Sequence, residues 1–134
     1  EHDELLECAQ VYGNWYGGPR SQVSQGLKEG KDVILKVDVQ GADTVRKLAT
    51  EALFIFMVPG SFDELRDRLT QRMTERPSEI DLRLSIAWSE LGRVAEYDYR
   101  VVNRDDQLEQ VIAEIDAIIT AEKCRVHPRK VDSL

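Results

Sequence analysis

A carboxylate, a tyrosine, a second carboxylate and a set of arginines are the side chains of this 134-residue chain whose types and spacing could do chemistry. Glu7 precedes a mostly apolar extended run that breaks at Gly13-Asn14, resumes with Trp15-Tyr16 and breaks again at Gly17-Gly18. The pattern predicts a short irregular strand with Glu7 and Tyr16 near its two ends. Residues 33–38, Val-Ile-Leu-Lys-Val-Asp, form a second apolar run that ends in Asp38, and Gln40-Gly41 lead on into a helical pattern. An acidic residue at the carboxyl end of a buried strand lies where an open α/β sheet binds its ligand. The plainer alternative is that Asp38 caps the helix that follows it. Farther on come Arg66, Arg68, Arg72 and Arg76, then Arg83. They could neutralise phosphate charge, or the first four could form a solvated helical face.

Period and punctuation define the elements that must position these groups. Residues 1–16 read as extended structure, with room for a frayed helical turn at the start. Pro19 suits a helix start, and residues 21–28 read as a short helix that Gly30 stops. Residues 33–38 read as a strand apolar on both faces apart from Lys36 and Asp38, as in a parallel sheet. A helix is predicted over 41–49 and a further strand over 52–58, closed by Pro59-Gly60. Ser61, with Glu64 three residues on, forms a capping box for a helix carrying Leu65 and Leu69 on one face. Residues 71–78 turn polar and read as a loop or lid. A longer helix follows from 78 to about 96, interrupted near Gly92. Residues 99–103 read as a strand and 105–125 as an amphipathic helix through Leu108, Val111, Ile112, Ile115, Ile118 and Ile119. Residues 127–134 hold little apolar content and read as a mobile tail. The β-α-β-α order predicts an α/β fold with a parallel sheet and right-handed crossovers.

Composition narrows the classes. The formal charge of −7 disfavours a nucleic-acid phosphate binder, which normally shows a net basic face. An acidic protein can still bind mononucleotides if its arginines cluster locally. The longest apolar run, residues 52–58, is strand-sized and far from a membrane span, and no signal-peptide pattern is present. Cys8 and Cys124 are far apart, and with two His in the chain neither a disulfide nor a zinc site is expected. A reduced, cytoplasmic setting is the default. The chain begins with Glu1 and opens inside an amphipathic pattern, so a processed or truncated product is expected.

The motifs in this order and at these separations resemble the guanylate kinases. The resemblance runs from Glu7 with Gly13-Asn14-Trp15-Tyr16-Gly17, through the run ending in Asp38 before Gln40-Gly41, to Arg68-Leu69 and Arg72. It continues through Arg83-Leu84, Glu96-Tyr97-Asp98-Tyr99 and Val101-Val102-Asn103. It covers nearly the whole chain. It implies a P-loop nucleoside-monophosphate-kinase-like parallel sheet with flanking helices. Residues 1–19 would belong to the GMP-binding lobe, 20–67 and 84–126 to the core, 68–83 to a lid and 127–134 to a tail. The implied activity is transfer of a phosphoryl group from ATP, with Mg2+, to GMP.

The resemblance also implies roles for individual residues. Glu7 would accept hydrogen bonds from the N1–H and 2-amino group of guanine, a donor pair that adenine lacks; such charge-assisted bonds are worth roughly 1.5–3 kcal/mol. Tyr16 would contact the GMP phosphate. Gly18 stands where the family usually has a Ser or Thr whose hydroxyl reaches the guanine. Asp38 matches the second Asp of a strand-end pair near the GMP and metal site, and Lys36 replaces the first. Lys36 could pair with Asp38 or point into the phosphate pocket. Arg72 and Arg83 match two lid arginines that would close over the phosphates, where positioning and charge neutralisation carry the catalysis. Met73 stands where the family often has Gly. Asn103 aligns with a strand-end Asn near the adenine of ATP, with Arg104 in place of the usual acid.

No Gly-x-x-x-x-Gly-Lys-Ser/Thr loop occurs in these residues. Family members carry that loop at the extreme N-terminus as the cradle for ATP phosphates. Also missing are the upstream Ser and arginines that clamp the GMP phosphate, so the chain corresponds to the later two-thirds of a guanylate kinase. Its sheet would then lack the normally central first strand. Two readings follow: a guanylate kinase whose P-loop lies in an upstream segment, or a non-catalytic guanylate-kinase-like binding module. The retained Glu7, Tyr16, Asp38, Arg72 and Arg83 favour the first; Lys36, Gly18 and the missing loop favour the second.

Overall fold

A computed structural model of the chain describes residues 5–11, 14–71 and 77–131. They fall into two compact units, one within Glu1–Leu53 and His127–Leu134, the other Phe54–Val126.

The first unit opens with an antiparallel hairpin of β1, Leu5–Val11, and β2, Asn14–Pro19. This replaces the single irregular strand expected between Glu7 and Tyr16. The chain reverses between Val11 and Asn14, so Glu7 pairs with Gly18 and Ala9 with Tyr16. The register shifts between Leu5 and Glu7, a bulge of the kind that re-aims a strand. Helix α1, Arg20–Lys28, starts directly after Pro19. It ends in a Schellman motif: Gly30 at φ 72° donates to the Leu27 carbonyl, and the Lys31 N–H reaches back to Gly26. A Cβ at Gly26 would come within 2.9 Å of a Val33 methyl, so glycine there lets the helix lie close to the segment that follows.

Residues 31–38 are not a strand, contrary to expectation. They have no ladder partner among the described residues, and an apolar extended run becomes a strand only where a neighbour takes up its N–H and C=O groups. Ile34 is accordingly 75% exposed. Asp38 then opens α2, Val39–Leu48, two residues ahead of the expected start because the cap lies at Asp38. Val23 of α1, with Ala42 and Val45 of α2 and Ala49 after it, are buried apolar residues of this unit. The tail read as mobile contributes a half-buried Arg129, whose Nη1 donates to the Ala52 carbonyl at 3.4 Å.

The second unit is built on two parallel strands, β3, Ile55–Pro59, and β4, Tyr99–Asn103, in register from Ile55 opposite Tyr99 to Pro59 opposite Asn103. Strand β3 begins three residues later than the run expected from 52, where the ladder starts. Asp98 sets that start: its Oδ2 accepts from the Phe54 N–H at 2.8 Å, and its own N–H donates to the Phe54 carbonyl. Parallel neighbours need a crossover, supplied by α3, Phe62–Gln71, and α4, Pro77–Leu91. As expected, the longer helix breaks near Gly92, and a 3-10 turn, Val94–Glu96, carries the chain back to β4. Helix α5, Leu108–Lys123, follows.

Val101 in the middle of β4 is 1% exposed, with Leu84 and Val111 buried as well. Tyr97, half-buried, packs edge-on against Phe56, ring centres 4.7 Å apart. Tyr99 donates its hydroxyl to Glu122 at 2.8 Å, and this bond satisfies a carboxylate only 9% exposed.

Candidate functional site

Within the first unit, strand register relates two of the residues expected to bind ligand. Glu7 lies opposite Gly18, and Tyr16 opposite Ala9. Glu7 and Tyr16 therefore stand on facing strands of the hairpin, two register positions apart, rather than at the two ends of one strand. Sequence reading missed this because it took the Gly13-Asn14 break as an irregularity and not as a reversal. The Gly-Asn-aromatic pattern between two extended runs was the available hairpin signal.

Asp38 belongs to the same unit. Its Oδ1 accepts from the Gly41 N–H at 2.8 Å, and its φ of −80° and ψ of −177° are those of an N-cap. The helix-cap role, weighed as the plainer alternative, is thus present in the structure. Lys36 is exposed and makes no ion pair with Asp38, which removes one of its two readings.

The second unit holds Arg83 on α4 and Asn103 at the end of β4. Arg83 is half-buried. Arg72 lies outside the described residues. Asn103 is engaged through its backbone: Nη2 of Arg68 donates to its carbonyl at 2.8 Å, while Nε of Arg68 donates to Asp105 Oδ1 at 2.7 Å. Arg68 therefore ties α3 to the carboxyl end of β4 and is not part of a solvated stripe. Arg66, in contrast, stands more exposed and 3.9 Å from Asp81. Periodicity alone could not separate these two arginines, because the acceptors of Arg68 lie 35 and 37 residues away in sequence.

The capping box read from Ser61 and Glu64 is half realised. The Glu64 N–H donates to Ser61 Oγ at 3.1 Å, but Glu64 Oε2 is buried without a hydrogen bond, 3.7 Å from the Arg68 guanidinium. A cleft of about 720 Å3 lies between α3 and α4, lined by Phe62, Arg66, Asp81, Leu84, Ser85 and Trp88. It includes none of the predicted site residues. Phe62 and Trp88 meet edge-to-face across it at 5.8 Å. Among the described residues no three His, Cys, Asp or Glu side chains gather into a group that could hold a metal ion, and no helix is long and apolar enough to cross a membrane.

Comparison with known proteins gives one answer. The model of the family described as guanylate kinase matches residues 1–122. A guanylate kinase of Clostridium perfringens strain SM101 is 46% identical over 132 residues, which are 98% of this chain and 60% of that protein. One from Caldanaerobacter subterraneus subsp. tengcongensis is 45% identical over 130 residues, 97% of this chain and 62% of the relative. Among solved structures, guanylate kinase from Anaplasma phagocytophilum superposes with a TM-score of 0.76 at 32% identity, covering 97% of this chain and 61% of that one. The chain thus spans about three-fifths of the length of the relatives it matches.

Proposed function

The chain belongs to the guanylate kinase family, and from that premise we propose that the full-length protein transfers the γ-phosphoryl of ATP to GMP, giving ADP and GDP. The observation that carries the reading is 46% identity to a guanylate kinase over 98% of the chain. The site chemistry fits it residue by residue. Glu7 accepts from the N1–H and 2-amino group of guanine and so selects that base over adenine. Tyr16, on the facing strand of the hairpin, directs its hydroxyl to the GMP phosphate. Gly18, opposite Glu7, offers no hydroxyl to the guanine. Asp38 serves the phosphate-side end of the same unit while capping α2.

Arg72 and Arg83 neutralise charge on the transferring group when the polar segment between α3 and α4 closes as a lid, and Asn103 faces the adenine. Phosphoryl transfer asks the protein for positioning and charge stabilisation more than for covalent chemistry. Magnesium enters as part of the ATP substrate, and the described residues contribute no ready-made set of metal ligands. The cradle for the ATP phosphates is assigned to a segment upstream of Glu1. We infer a cytoplasmic setting and a place in purine nucleotide metabolism from the same substrates.

The test is turnover. The full-length protein should convert ATP and GMP to ADP and GDP, and the 134-residue chain alone should show no activity above background. Turnover by the short chain would remove the need for an upstream cradle. A full-length protein that binds GMP without phosphorylating it would make the domain a non-catalytic binding module.

A further inference from the structure

Parallel strands of an open α/β sheet present their ligand at the carboxyl ends. In the second unit those ends are level, Pro59 opposite Asn103. The turn after β4 is constrained: Asp106 sits at φ 58°, a region that non-glycine residues seldom occupy. Arg68 reaches from α3 to the end of β4 and the turn beyond it, with Nη2 on the Asn103 carbonyl and Nε on Asp105. On the other side, the turn after β3 leaves no room. A Cβ at Gly60 would come within 2.5 Å of Glu64 Oε2 and 2.9 Å of Arg104 Cγ. The Glu64 carboxylate thus lies close against the turn after β3.

Two carboxylates compete for the one guanidinium: Asp105 at 2.6 Å and Glu64 at 3.7 Å. A planar fork held by two acceptors has a defined orientation, and loss of one releases it. Without Asp105, Glu64 becomes the remaining carboxylate partner among the described residues, and it draws the guanidinium toward Gly60 and off the Asn103 carbonyl.

We propose that Asp105 is a positioning residue for the bound nucleoside triphosphate: acting through Arg68, it fixes the turn after β4 and so the orientation of Asn103 at the ligand edge. The inference rests on the assignment of Asn103 to the ATP side.

Titration calorimetry of the full-length protein, wild type against Asp105→Ala and Asp105→Asn, tests it, with GMP titrated in parallel. For Asp105→Ala the Kd for ATP should rise about fivefold, the scale of an exposed but well-oriented ion pair, while the Kd for GMP moves less than twofold. Asp105→Asn keeps an oxygen acceptor for Nε and should recover most of the ATP affinity. An unchanged ATP Kd in Asp105→Ala, equal weakening of both nucleotides, or a wild type that does not bind ATP overturns the proposal. Failure of the kinase reading looks different: ATP binds, Asp105→Ala weakens it, and GMP is still not phosphorylated.

Discussion

The Asp38 carboxylate accepts the backbone N–H of Gly41 at 2.8 Å, so the acidic residue proposed for the phosphate side is at the same time the N-cap of α2. One side chain carrying two duties allows them to be separated by substitution. Asp38→Ala should cost about 1 kcal/mol of stability, whereas Asp38→Asn, which keeps a capping oxygen, should cost a few tenths. Denaturation midpoints measure the cap and turnover measures the site. If Asp38→Asn is as active as wild type, the carboxylate has no part in the chemistry.

Glu7→Gln exchanges an acceptor-only group for one that presents a donor to the guanine N1–H or amino group. The KM for GMP should rise by about ten- to a hundredfold, and the KM for ATP should stay within about twofold. Steady-state kinetics with each substrate varied decides it, and an equal loss for both nucleotides would remove Glu7 from base recognition.

Arg83→Ala should lower kcat by about two to three orders of magnitude, the usual effect of deleting one donor aimed at transition-state charge. Arg83→Lys restores the charge without the fork and should recover part of it. Retained kcat with a raised KM for both substrates would make Arg83 a ground-state contact only.

Tyr99→Phe removes the hydroxyl that donates to Glu122, a carboxylate that is 9% exposed and 3.7 Å from Arg125. Stability should fall by about 1 kcal/mol, read from urea midpoints. Glu122→Gln keeps an acceptor for Tyr99 and should lose less.

Gly30→Ala probes the end of α1. Open space surrounds the position, but its φ is 72°, so the effect is one of backbone conformation alone. A loss of about 1 kcal/mol is expected, and an unchanged midpoint would mean that the Schellman turn relaxes without cost.

Local chemistry made much of this protein legible from its residues in order. Gly30 stopped α1, Ser61 opened α3, Gly92 broke the helix before β4, and β4 itself spans the five residues its pattern marked out. These features depend on neighbours within a turn of chain, where propensity and hydrogen-bonding geometry are complete in themselves. The family, too, could be read from motif order, because Glu7, Asp38, Arg83 and Asn103 keep their spacing along the chain whatever the fold does with them. Tertiary structure decided what needed a partner from far away. Residues 33–38 carry a strand's composition and form none here, since a ladder is made by two segments. The sequence looked merely broken after Val11 until β1 and β2 paired and put Glu7 and Tyr16 on facing strands. Arg66 and Arg68 are equivalent by periodicity; only the acceptors at Asn103 and Asp105, more than thirty residues away, make one of them a clamp and leave the other at the surface.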